Sequence, residues 1–163
     1  MIDMWFTTGN YNSRDIANPI FAAYDKEVYP RNVHILATST TSDQVGNARS
    51  VLDTLREEDG RKMEVEVHKT PDRPREFKAH ASELFNEVTD STVALDITGR
   101  PSIYGSLLLQ QAIKDNVDAD HVYHLDYLVP PHTLDTELYP SIPQTAVKLT
   151  DILSDFTTEG NDD

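Results

Sequence analysis

Short apolar runs alternate with amphipathic segments along the whole chain. Met4 to Thr8 is apolar, ends at Gly9-Asn10, and reads as strand one. Gly9 to Ala17 is polar. Asn18-Pro19 then has the form of a helix start, with Asn capping free N–H groups and Pro at the first helical position. Ile20, Phe21, Tyr24 and Val28 fit one helical face, and Pro30 lies just beyond it. Val33 to Ala37 is the second strand. Ser42-Asp43 opens a helix in which Val45, Ala48, Leu52 and Leu55 step by three and four, and Asp59-Gly60 closes it. Met63, Val65 and Val67 alternate with Glu64 and Glu66, so strand three has one wet face. Pro71 and Pro74 bracket a turn before a third helix built on Phe77, Ala81, Leu84 and Val88. Thr92 to Ile97 is strand four, Thr98-Gly99-Arg100-Pro101 a turn, and Ile103 to Ile113 an apolar helix. His121 to Leu128 is strand five. Val129 to Pro143 holds four of the nine prolines and is expected to be irregular. Gln144 to Phe156 reads as a final amphipathic helix.

This alternation predicts an α/β fold: a Rossmann-like three-layer sandwich with a mainly parallel sheet and helices on both faces. The wet face of strand three places it at an edge, which favours the order 3-2-1-4-5. A flavodoxin-type order would bury strand three on both sides. Ligands of open α/β sheets bind where the strand order reverses, beyond the carboxyl ends. Here that crevice lies between strands one and four. Its walls are Thr7-Thr8-Gly9-Asn10 and Asp96-Ile97-Thr98-Gly99-Arg100.

With 163 residues the chain is the size of one domain, expected over 1–156 with an acidic disordered tail at 157–163. Twenty-eight Asp and Glu against 14 Lys and Arg give a net charge of −14, which disfavours capture of duplex DNA. The 18 Asp are spread along the chain, as in a carboxylate coat that keeps a protein soluble in a salty, halophilic cytoplasm. There is no cysteine, so disulfides and thiolate chemistry are excluded. No apolar run is long enough to span a membrane, so a cytoplasmic location without a membrane partner is expected.

Both turns offer backbone N–H groups and hydroxyls at the start of a helical segment, which suits a phosphate. Arg14 and Arg100 are the nearest cations. The G-x-x-x-x-G-K-[ST] and G-x-G-x-x-G patterns are both absent, which argues against a P-loop and against NAD or FAD.

Asp96-Ile97-Thr98-Gly99 closing strand four, an apolar helix after it, and then Val122-Tyr123-His124-Leu125-Asp126 together resemble the CRISPR-associated Rossmann-fold (CARF) domain. Asn18-Pro19-Ile20 after a polar loop and the turn Thr38-Ser39-Thr40-Thr41 are also similar. The resemblance covers about residues 1–128. It implies a nucleotide-binding role in CRISPR antiviral defence, with a homodimer holding a cyclic oligoadenylate across its two-fold axis. The family turn D-[IVL]-T-G-G-T-K-x-M departs here to Arg100-Pro101-Ser102-Ile103-Tyr104, so Arg100 takes the place of the lysine. Few residues follow strand five, so a stand-alone sensor or a metal-independent ring nuclease is expected. In the latter, the 2′-hydroxyl of the ligand attacks the adjacent phosphate.

The expected ligand-binding residues are Thr7, Thr8, Gly9, Asn10, Tyr11, Arg14, Thr38, Thr98, Gly99, Arg100, Ser102 and Tyr104. The expected catalytic residues are Thr8 and Ser13 for orientation and Arg100 for the developing phosphorane charge. Tyr11 and Tyr104 would stack on or cover adenines. No metal and no cofactor are expected. Arg75 and His80 form an R-x4-H pair on a crossover helix and read as chance. His124 and Asp126 share a strand face that excludes His121, an incomplete zinc set. Asp96 has the chemistry of a base or a magnesium ligand, but reads rather as a cap of the following turn or a partner of Arg100. Two other classes remain open: a flavodoxin-like FMN redox protein, and a non-catalytic regulatory or interaction domain. The apolar helix at Ile103 to Ile113 and the terminal helix are the places to expect a dimer face.

Overall fold

The structure, a computed structural model, describes residues 1–10, 12–60, 62–88, 90–98, 103–129 and 146–154. In chain order these form β1 (Ile2–Thr8), α1 (Arg14–Asp25), β2 (Pro30–Ala37), α2 (Ser42–Asp59), β3 (Glu64–Lys69), α3 (Pro74–Phe85), β4 (Val93–Asp96), α4 (Ile103–Lys114), β5 (His121–Tyr127) and β6 (Val147–Asp151). The sheet order is β3-β2-β1-β4-β5-β6. Strands β1 to β5 pair in parallel and β6 joins β5 antiparallel. The alternation of Glu64 and Glu66 with Val65 therefore marked an edge strand, and the flavodoxin order is excluded.

The two sheet faces carry separate cores. On one side Trp5, Val33, Ile35, Ala94, Tyr123 and Leu125 pack against Ile16, Ile20 and Ala23 of α1 and Val45, Ala48 and Leu52 of α2. On the other, Phe6, Leu36, Leu95 and Val122 pack against Phe77, Ala81 and Phe85 of α3 and Leu107, Leu108 and Ala112 of α4. Strand residues one apart thus serve opposite cores, as the two-residue pleat requires. Trp5 stacks on Tyr123 at 5.1 Å between ring centroids, which joins β1 to β5 across β4.

Two expectations are corrected. The first helix begins at Arg14 rather than after Asn18. Ile16 and Ala17 extend the apolar stripe upstream and are fully buried, so packing draws the helix back toward its amino end. Pro19 then lies inside the helix, where its ring nitrogen cannot donate to the carbonyl of Asp15. Asn18 does not cap; its Nδ2 donates to Tyr127 Oη at 2.8 Å.

The second correction is at the carboxyl end. Residues 147–151, expected within a helix over Gln144 to Phe156, form strand β6, and a helical turn follows at 152–154. Val147 and Leu149 alternate with Lys148 and Thr150, and the sheet edge at β5 offers backbone groups that a strand satisfies. Leu125 faces Leu149 in register, and Lys26 Nζ donates to the Leu149 carbonyl at 2.7 Å. The expected loop over 130–143 and the tail at 157–163 lie outside the described residues.

This register makes a prediction that a helix would not. Leu149→Ala removes a buried side chain and is expected to cost about 2–4 kcal/mol, whereas exposed Lys148→Ala should stay within about 0.5 kcal/mol. Urea unfolding of both variants checks the pair.

Candidate functional site

Strands β1 and β4 are direct neighbours, with Met4, Trp5 and Phe6 beside Val93, Ala94 and Leu95. From this pair the chain order runs outward in both directions, so the connections after β1 and β4 leave toward opposite sides. A crevice at their carboxyl ends follows from the topology.

A buried carboxylate organises it. The Thr7 hydroxyl donates to Asp96 Oδ2 at 2.9 Å, and the Thr98 backbone N–H donates to Asp96 Oδ1 at 2.9 Å. The Thr98 hydroxyl in turn accepts the Leu125 N–H at 2.8 Å. Three strand ends are thereby joined through one side chain. Asp96 is fully buried, and desolvation pushes its carboxyl up to about 6 in spite of these donors. It caps the turn, as its position suggested. The hydroxyls of Thr7 and Thr98 therefore have partners within the protein.

The loop after β1 is equally constrained. Gly9 donates its N–H to the Leu36 carbonyl at 2.7 Å. A Cβ at Gly9 would lie 2.3 Å from Thr41 Oγ1 and 3.0 Å from a Val45 methyl, so only glycine fits against the turn after β2. That turn is held by its own hydroxyls: Thr38 N–H donates to Thr41 Oγ1 at 3.1 Å. Thr8 and Asn10 are buried, whereas Ser13 is half-buried at the start of α1.

At the first turn of α1, Arg14 lies 3.6 Å from Asp15 and its guanidinium sits 5.6 Å from the centre of the Tyr127 ring. Burial raises the Asp15 carboxyl, and the Arg14 charge opposes the shift. Burial pushes the Tyr127 phenol up to about 12. This group ties the first turn of α1 to β5.

Tyr104 is turned toward α3. Its hydroxyl donates to the Asp72 carbonyl at 2.8 Å, and its ring meets Phe77 at 4.9 Å. Tyr11, Gly99, Arg100 and Ser102 lie outside the described residues.

Beside the crevice, a cavity of about 620 Å³ opens at the carboxyl ends of β2 and β3. Thr38, Ser39, Ser42 and Thr70 line it with hydroxyls, Arg49 and Lys69 with positive charge, and Val45 and Val67 with apolar surface. The buried Thr70 Oγ1 has no hydrogen-bond partner among the described residues. The volume and mixed lining suit a nucleotide-sized anion. Of these residues only Thr38 was expected from the sequence to bind a ligand. Arg49 and Lys69 join it through the β2–β3 register and the facing of α2, which no local motif announces. A second depression, at the opposite end of β4, is lined by Asp90, Asp115, Asp118 and Asp120, a lining that repels anions.

No protein-family model and no curated protein matches the sequence. A similar fold is found in the solved structure of Can2 from Sulfobacillus thermosulfidooxidans in complex with cyclic tetra-adenylate. The TM-score is 0.58 at 12% identity, and the match covers 77% of this chain and 32% of that one. The similarity is one of fold.

The titration of Asp96 is open to measurement. Ionising it costs the folded state more than the unfolded chain, whose carboxyl titrates near 3.8. Its contribution is therefore most favourable below that pH and falls by roughly 3 kcal/mol as pH rises to about 6. Asp96→Asn keeps an acceptor for Thr98 and removes the charge. Urea unfolding is expected to show Asp96→Asn gaining on the parent protein between pH 4.5 and 7. Asp96→Ala, which leaves two donors unmatched, should show the same pH trend relative to the parent but lie about 2–3 kcal/mol below Asp96→Asn at both ends of that range. Equal losses in the two variants would contradict this account.

Proposed function

We propose that this chain is a CARF-type domain spanning 1–156 that binds a cyclic oligoadenylate at the β1–β4 crevice, as a homodimer across its two-fold axis. The observation that carries the reading is the adjacency of β1 and β4 at the reversal of strand order, with both carboxyl ends fixed by Asp96. The likeness of fold to a structure that holds cyclic tetra-adenylate supports it. So does the sequence resemblance around Asp96-Ile97-Thr98-Gly99.

In this reading the backbone amides after Gly9 and after Thr98 receive the phosphates, and Arg14 and Arg100 supply charge. Tyr11, Asn10 and Ser102 lie along the ring. Arg49 and Lys69 extend the positive wall into the neighbouring cavity, where Thr38 contributes a hydroxyl. A symmetric ring is matched by a two-fold site. The exposed Ile103 and Ile113 make α4 the face offered to the second copy.

Ring cleavage, where it occurs, needs no metal. The 2′-oxygen of one adenosine bonds to the adjacent phosphorus, the bond to the 5′-oxygen breaks, and the proton passes from the 2′- to the 5′-oxygen. The product end is a 2′,3′-cyclic phosphate. Ser13 and Thr8 orient the attacking hydroxyl and Arg100 stabilises the phosphorane.

The test is incubation with labelled cyclic tetra- and hexa-adenylate without metal, followed by filter retention and chromatography. Retention is expected for one ring size and should weaken about 10- to 100-fold in Arg100→Ala, the equivalent of roughly 1–3 kcal/mol. If the ring is cleaved, Ser13→Ala should slow cleavage while leaving retention within a few-fold. Neither retention nor cleavage of either ring would overturn the proposal.

A further inference from the structure

The strongest cluster outside the crevice lies on the α3 face of the β2–β3 pair. His34 and Glu66 are register partners on parallel strands, and His68 follows Glu66 by two residues on the same face. His34 Nδ1 is 3.0 Å from His68 Nε2 and 3.8 Å from Glu66 Oε2, and the latter two are 3.7 Å apart. Three atoms at those separations leave a point about 2 Å from each, the length of a zinc–imidazole or zinc–carboxylate bond.

From this geometry we infer that His34, Glu66 and His68 form a binding site for a divalent transition cation of the zinc class. Three nitrogen and oxygen ligands of this kind suit zinc or cobalt rather than calcium or magnesium.

The surroundings prepare the ligands. His34 Nε2 lies 3.3 Å from Met4 Sδ, a weak acceptor that favours a proton on Nε2 and leaves Nδ1 with its lone pair toward the other two groups. The His34 ring is buried and stacks between Phe6 at 4.9 Å and His68 at 5.2 Å, so its orientation is fixed before any ion arrives. Burial lowers both imidazoles, His68 adding to the shift at His34 and His80 to that at His68, while Glu66 and Glu87 oppose it. His80 on α3 brings a further imidazole 6.3 Å from the His68 ring; its Nε2 is buried and has no hydrogen-bond partner among the described residues. It is the nearby source of a fourth ligand. By contrast, His124 with Asp126 and His121 with Asp151 are pairs, each one ligand short of this arrangement.

The site is independent of the crevice, since His34 and Glu66 lie within their strands rather than at the carboxyl ends. A bound ion would clip the edge strand β3 to β2. Chelator-treated full-length protein titrated with Co²⁺ is expected to take up one ion per chain, with the visible absorption of a tetrahedral nitrogen–oxygen site that Zn²⁺ then abolishes. Zn²⁺ should also raise the thermal midpoint. Glu66→Gln, at an exposed position, and His68→Gln, at an edge strand, should each weaken uptake at least 10-fold and remove the thermal shift. His124→Gln should change neither. Absence of a one-to-one site, or uptake that survives both Glu66→Gln and His68→Gln, would overturn the inference.

Discussion

The Asp96 carboxylate is the constraint around which the carboxyl end of the sheet is arranged. A fully buried acid is costly unless its oxygens are matched, and here each takes a donor from a different strand end. Thr7 brings β1, Thr98 brings the turn after β4, and the Thr98 hydroxyl reaches the backbone of β5. The same atoms that satisfy the charge fix the spacing of the crevice walls. The cost of keeping the acid dry appears in its elevated protonation range.

Most of the architecture was legible because the hydrophobic periods are clean. Glu64 and Glu66 alternating with Val65 and Val67 placed β3 at an edge, and the edge then set the whole order. What periodicity missed has physical causes. Asn18-Pro19 is a good helix start in isolation, but burial of Ile16 and Ala17 outweighs it. Over 147–152, the apolar pair at 147 and 149 fits a two-residue period and the pair at 149 and 152 a helical one, so the edge of β5 decides. At the carboxyl ends, the capping role of Asp96 was legible, because its place before the turn marks it. The His34–Glu66–His68 group was not, because about thirty residues separate its halves and only strand register unites them.

Hydroxyls recur at the carboxyl ends of the sheet, and most are used internally. Thr7, Thr41 and Thr98 each bond to neighbouring protein groups. Such loops leave backbone N–H groups and a few cations as the means of meeting an anion. In a chain of net charge −14 those cations have to be local. Arg49 and Lys69 line one cavity, and Arg14 is held over Tyr127. The acidity of the remaining surface is compatible with anion capture because a short-range field decides at the wall.

Among the described residues, strand β3 also has a side that no other strand covers. A sheet border with unpaired backbone groups is a template on which further chains can align and grow into aggregates. Glu64 and Glu66 are both exposed along it, and two copies meeting border to border would bring like carboxylates together. The alternation that buries Val65 and Val67 toward one core thereby also guards against runaway self-association, and a Glu64→Val substitution would weaken that guard with no loss of buried contacts.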